Sequence, residues 1–351
     1  MPLYRKPGPL AQSLRGPAPI EAPLEIVDTG TTGPDSLVGT RANDTLSGGD
    51  GQDTINGFGG GDRIDGGSDD DLIDGGFGAD LAWGGIGAGA DTMDGGGGHD
   101  QLYGEDGADW VRGGAGSDTT FGGAGDDRLE GGDGHDYLAP GTGADTISGG
   151  RGGDVLDYAS AEFASVWVDL EAGFADDGAS VDTLLWIETV RGSFGSDDLR
   201  GDNRVNHLIG FAGHDMLVGR GGNDNLEGFE GRDTLIGGRG ADLLSGDAGV
   251  DRFVYRSVAD SPGTSSLTVD WIFGLDTQDV IDLSAIDANT GKGGDQDFVL
   301  VEAFTGTAGE LTLVQETSFF TTLLGDVNGD SIADFSVRLS GEHTDYANFA
   351  L

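Results

Sequence analysis

Aspartate recurs in this chain with a fixed set of neighbours. Glycines stand five, four and two residues before it, and a large apolar residue stands two after, as in GGDGQDTIN at 48–56, GGAGDDRLE at 122–130 and GGDGHDYLA at 131–139. The series runs through Asp35, Asp44, Asp53, Asp62, Asp71, Asp80, Asp91, Asp100, Asp109, Asp118, Asp127, Asp136, Asp145 and Asp154. It resumes at Asp197, Asp215, Asp224, Asp233, Asp242 and Asp251, with Asn206 in the one remaining slot. Carboxylates are hard oxygen donors, and glycine tolerates the positive φ that lets backbone carbonyls crowd a shared point. About six to eight such oxygens suit Ca2+, whereas Mg2+ wants tight octahedral geometry and keeps its waters. These aspartates are therefore the candidate calcium ligands.

The elements that must position them follow from the period of nine. Repeats begin at Gly30 and at every ninth residue to Gly149, broken only by GGIGAGADTMD at 84–94, which carries two extra residues. A second block runs from Gly192 to Val254. The eighth places read Leu37, Leu46, Ile55, Ile64, Ile73 and Ala82 and continue apolar, with Thr120 as the one polar exception. The last three residues of each repeat suit a very short strand with that apolar residue on one face. Two nonapeptides then make one turn of a flattened right-handed coil, with glycine turns on both edges. Each calcium is expected between successive turns, shared by repeats two apart. The fold class is all-β, a right-handed parallel β-roll in two blocks followed by a β-rich C-terminal segment. Without metal, a one-residue-wide apolar seam cannot offset the backbone entropy of ordering so many glycines.

The expected organisation is a proline-rich tail over 1–29, roll blocks over 30–157 and 192–254, spacer strands packed on the roll over 158–191, and a C-terminal β domain over 255–351. In the spacer, Val166–Leu170 and Leu184–Val190 read as strands. Beyond Val254 the β-type runs are Leu267–Phe273, Val280–Leu283, Phe298–Val301, Leu311–Val314, Phe319–Leu324 and Phe335–Leu339.

Composition excludes several classes. With 63 acidic and 18 basic residues the formal charge is −45, so nucleic acid is not an expected partner. No apolar run is long enough to cross a membrane as a helix, and the N-terminus has no apolar h-region of a signal peptide. Cysteine is absent, which suits export unfolded and folding outside by metal instead of by disulfides.

The nonapeptides resemble those of the RTX family of bacterial proteins secreted by the type I pathway. The strings DWIFGLDTQDVIDLSAIDA (270–288), AFTGTAGEL (303–311) and LGDVNGDSIADFSVRLSG (324–341) resemble the C-terminal domain of serralysin-type metalloproteases. The resemblance implies a roll that folds on Ca2+, an uncleaved C-terminal signal and a type I exporter as partner. The family's signal ends in an acidic residue before a few apolar ones; here Asn348 stands where that acid is expected.

No HExxH helix accompanies the repeats. Of the five histidines, His99, His135 and His214 hold the fifth place of a repeat, where an exposed turn residue is expected. No GxSxG is present either. Asp326, Asn328, Asp330 and Asp334 space oxygens at positions 1, 3, 5 and 9 of an EF-hand-like loop, but Ser331 and Val337 replace its usual glycine and glutamate. That loop is a candidate isolated calcium site or else a solvated acidic turn. Trp83 and Trp110, at outward places, are candidates for stacking on sugars. The expected function is that of a secreted or cell-surface, non-enzymatic calcium-binding protein. The alternatives are a module or catalytically deficient relative of a serralysin-type protease, and a calcium-dependent adhesin or matrix protein with a cell-surface or polysaccharide ligand.

Overall fold

The computed structural model describes residues 24–159, 163–263, 268–293 and 296–351. Most of the proline-rich tail, and Leu267 of the strand expected to begin there, lie outside the described residues. Among the described residues every regular element is a strand.

The nonapeptide sets the register. Leu46 pairs with Ile64 and Ile64 with Ala82 in one sheet, while Ile55 pairs with Ile73 in the other, all parallel and two repeats apart. Successive repeats therefore alternate between two facing sheets, and every second repeat stacks on the same edge. The eighth residues meet between the sheets: Leu46, Ile55, Ile64, Ile73, Met93 and Leu102 are almost wholly enclosed. Thr120 occupies the same seam, and its hydroxyl finds no hydrogen-bond partner there.

The stretch between the blocks does not interrupt the solenoid. Val181–Leu185 pairs parallel with Thr146–Gly152, and Thr189–Arg191 bridges Val155–Asp157 and His207–Ile209. The run read as one strand, Leu184–Val190, is thus two half-turns on opposite sheets, joined by a short corner at Trp186–Glu188. One sheet additionally takes up an antiparallel pair, Trp167–Asp169 and Phe174–Asp176, before the second block resumes on Trp167–Asp169 at Asp198–Arg200. Arg220 secures this insertion. Its guanidinium grips Asp169 with two bonds of 2.7 Å and also reaches the Gly201 carbonyl. The Arg220 contact holds the Asp169 carboxyl below its usual range against the opposing effect of burial.

The C-terminal segment shares both sheets with the roll. An antiparallel meander of Glu310–Thr317, Phe320–Asp326 and Phe335–Ser340 joins one sheet through the parallel pairing of Phe335–Ser340 with Asp270–Phe273. The final strand, Phe349–Ala350, adds in parallel to Val280–Asp282 of the other. Asn348 donates its amide to the carbonyls of Gln278 and Asp279, at 3.1 and 2.6 Å. An ionised acid at that position has no proton to donate, so asparagine suits the folded end of the chain.

Candidate metal centres

Each turn edge is built from the first six residues of a repeat. The aspartate Oδ1 accepts the backbone N–H of the aspartate one turn earlier: Asp118 N–H to Asp136 Oδ1 at 2.9 Å, Asp127 N–H to Asp145 Oδ1 at 2.8 Å, Asp215 N–H to Asp233 Oδ1 at 2.9 Å. These bonds form ladders along both edges. The other oxygen, Oδ2, points toward the first glycine of its own repeat. A Cβ added at Gly131 would lie 2.5 Å from both Asp136 Oδ2 and the Gly149 carbonyl oxygen, which belongs to the repeat one turn on. One at Gly113 would lie 2.7 Å from both Asp118 Oδ2 and the Gly131 carbonyl. A carboxylate oxygen and a backbone carbonyl oxygen converge in the same way at Gly48, Gly66, Gly84, Gly95, Gly104 and Gly219, in space that an added Cβ would fill.

Those Oδ2 atoms are enclosed and have no partner. This holds at Asp53, Asp62, Asp71, Asp80, Asp100, Asp109, Asp118, Asp127, Asp136, Asp145 and Asp154 in the first block. It holds again at Asp215, Asp224, Asp233, Asp242 and Asp251 in the second. Buried polar atoms are otherwise almost always paired, and an enclosed carboxylate without a counter-charge is strongly unfavourable. Burial pushes Asp145 up to about 8, and the carboxylates of Asp182 and Asp127 add to the rise while the Asp127 N–H opposes it. Burial likewise raises Asp71, Asp109 and Asp215 to about 7. Such oxygens, convergent with carbonyls and short of positive charge, fit a hard divalent cation of the Ca2+ type. Asp35, Asp44 and Asp197 differ, because Oδ2 in each accepts a backbone N–H.

Four further residues continue the ladders without the nonapeptide pattern. Asp182 Oδ1 accepts from Asp145, Glu188 Oε2 from Asp154, Asp270 Oδ1 from Asp242 and Asp279 Oδ1 from Asp251. At the corner after the first block, the Trp186 carbonyl replaces the missing glycine carbonyl beside Asp154 Oδ2. The sequence signal for all four is an acid two residues before a buried apolar one: Asp182 before Leu184, Glu188 before Val190, Asp270 before Ile272 and Asp279 before Ile281.

Other candidates are engaged differently. In the loop at 326–334, Asp326 accepts the N–H groups of Asn328, Gly329 and Ser331, and Asp334 accepts that of Val327. The carboxylates there fold the loop upon itself. Ring nitrogens of His99, His135 and His214 accept the N–H of Ser117, Gly153 and Arg232, one turn on. Among the described residues no group of three or more His, Cys, Asp or Glu side chains is placed to hold a metal, so any cation on these edges must draw on backbone carbonyls. Trp83 stacks against Tyr103 at 5.7 Å and lies under Arg63 at 4.2 Å, and Arg128 covers Trp110 at 5.3 Å. Trp83 is thus packed into an aromatic ladder, whereas Trp110 is exposed with the Arg128 guanidinium over its ring.

A parallel roll whose glycine edges enclose unpaired carboxylate oxygens is a solenoid of the calcium-binding type. The chain is an RTX-repeat protein: residues 29–57, 56–89, 86–120 and 121–156 match the RTX calcium-binding nonapeptide repeat, and residues 198–351 match the C-terminal segment of the peptidase M10 serralysins. No curated protein matches it. Among solved structures it is similar to the AlgE6R2 subunit of the Azotobacter vinelandii mannuronan C5-epimerase, at 30% identity over 43% of this chain and 89% of that one, with a TM-score of 0.33. The AlgE6R3 subunit of the same epimerase is 28% identical over 44% of this chain and 77% of that one, TM-score 0.23. The extracellular lipase LipA of Serratia marcescens is 20% identical over 71% of this chain and 40% of that one, TM-score 0.22.

The glycine cradle gives a direct prediction. Gly131→Ala places a methyl group between Asp136 Oδ2 and the Gly149 carbonyl, and should reduce the calcium bound per molecule and raise the calcium midpoint of folding. Gly33→Ala, where an added Cβ meets nothing within 4 Å, should change neither. Isothermal titration of both variants against the parent checks the contrast.

Proposed function

We propose that the chain is a secreted, non-enzymatic calcium-binding protein whose roll forms only outside the producing cell. The observation that carries this reading is the pair of ladders of enclosed, unpartnered Oδ2 atoms along the roll edges. Bound Ca2+ supplies the positive charge those oxygens lack. Asp136, Asp145 and Asp154, with the carbonyls of Gly149 and Trp186 near two of them, are representative ligands. Affinities of extracellular calcium modules lie near 10⁻⁴–10⁻³ M, on the order of which external calcium is sufficient and cytosolic calcium is not. The chain would therefore stay extended inside, fit to thread a type I exporter, and fold on emergence.

The non-enzymatic part of the reading is supported by how the reactive groups are used. Ladder carboxylates are fixed by backbone N–H groups, and three of the five histidines are held the same way. The C-terminal segment, whose last strand completes one sheet, is the proposed export signal. The test is secretion through a co-expressed type I exporter. Deleting 255–351 should retain the protein in the cell, and deleting 1–23 should leave secretion intact. The opposite pattern overturns the export assignment, and hydrolysis of casein by purified protein overturns the non-enzymatic one.

A further inference from the structure

The second residue of each repeat sorts the aspartates into two kinds. In the repeats that open the blocks it is Thr31, Thr40, Ser193 or Asp202, none with positive φ. Its N–H turns onto the side-chain oxygen of its own repeat. Thr31 N–H and Thr40 N–H reach Oδ2 of Asp35 and Asp44 at 2.5 Å, Ser193 N–H reaches Asp197 Oδ2 at 2.7 Å, and Asp202 N–H reaches Asn206 Oδ1 at 2.8 Å. Three of the four add a hydroxyl: Thr31 and Thr40 bond the same oxygen, and Ser193 bonds Oδ1.

Every other repeat has positive φ at this place. The rule holds where glycine is absent: Phe58, Glu105, Phe211, Arg220, Phe229 and Asp247 all adopt it, with φ between 62° and 76°. Side chains resist that conformation, so the turn imposes it. With the backbone so reversed, no second-place N–H reaches the carboxylate, and Oδ2 is enclosed without a donor at all these repeats save that of Asp91, the one lengthened by two residues. The division follows position as well. Repeats 30–38 and 39–47 begin the two edges of the roll, and 192–200 and 201–209 begin them again after the inserted strands.

An N–H donor and a cation are alternative partners for one oxygen lone pair, and each repels the other. We infer that the four repeats opening the two blocks are metal-free caps, in which the second-place N–H holds the oxygen that elsewhere is left for calcium. Terminal repeats of solenoids are commonly specialised in this way. The caps let each edge start without metal, and every later turn depends on it. Asp35, Asp44 and Asp197 are then capping residues, although they share the frame of the calcium ligands.

The inference rests on the calcium-binding reading above, and one experiment separates the two. Calcium bound per molecule is counted by isothermal titration for the full chain, for Asp35→Asn/Asp44→Asn/Asp197→Asn and for Asp118→Asn/Asp127→Asn/Asp136→Asn. Asparagine keeps the oxygen that accepts the capping N–H, so the first variant should bind as many ions as the parent. The second should lose ions. If it fails to fold, Asp136→Asn alone serves and should also lose calcium. Loss of ions from the first variant, or none from the second or its substitute, overturns the inference while leaving calcium binding in place. A parent chain that binds no calcium overturns both.

Discussion

In EGTA the chain is expected to give the circular dichroism of a coil, and millimolar Ca2+ should convert it cooperatively to β structure. The reason lies in what the folded edges enclose. Oδ2 atoms at successive turns are enclosed without a hydrogen-bond donor, and burial is the leading influence on each of the raised carboxyls. Ionised groups taken from water without a partner oppose folding strongly. The seam between the sheets is one side chain wide and includes Ala82 and Thr120, so apolar burial is thin. Glycine at 69 of 351 residues raises the backbone entropy that ordering must overcome. At free calcium about ten times Kd each site contributes about 1.4 kcal/mol, and about a dozen sites exceed the typical stability of a whole domain. Mg2+ should not substitute, because it demands near-ideal octahedral geometry and gives up its waters reluctantly. A strong β spectrum in EGTA would contradict this account.

The solenoid was legible in the sequence because one physical unit is repeated. Three glycines, an aspartate and one apolar residue each have a place in the turn, and the 18-residue register of Leu46 on Ile64 is twice their period. Where the glycines vanish, the turn ceased to be legible although it persists. Asp182 and Glu188 keep the acid and the buried apolar residue but reach the next turn by a shorter corner, with Trp186 at φ 58 in the place of glycine. Asp270 and Asp279 are similarly hidden in strings that resemble a different module. The pairing of Trp167–Asp169 with Asp198–Arg200 depends on Arg220 meeting Asp169 across a sequence separation of 51 residues, and no local pattern announces such a contact. Nor does the frame distinguish a partnered carboxylate from an orphaned one. Thr31 and Gly49 occupy the same place in their repeats, and the sign of φ there, together with the Thr31 hydroxyl, separates Asp35 from Asp53.

Acid should partly replace calcium. Burial, reinforced by neighbouring carboxylates, holds Asp71, Asp100, Asp109, Asp215 and Asp224 at about 7 and Asp145 at about 8 in the roll. In the coil the same groups titrate near 3.9. The folded state therefore binds protons more tightly than the unfolded one. Stability contributed by these groups is fully present below the coil value and is lost progressively as pH rises from there through the folded values of about 7 to 8. At pH 8 the metal-free roll must enclose ionised carboxylates, whereas at pH 5 it can enclose neutral ones while the coil is still mostly ionised. Circular dichroism in EGTA should accordingly show more β structure at pH 5 than at pH 8, and pH 5 stays above the isoelectric point of about 4.1, where precipitation would obscure the signal. In saturating calcium the order should reverse, because protons then compete with the cation for Oδ2 and pH 8 favours the metal-bound roll. If the metal-free chain is equally unfolded at both pH values, the enclosed carboxylates are not what opposes folding.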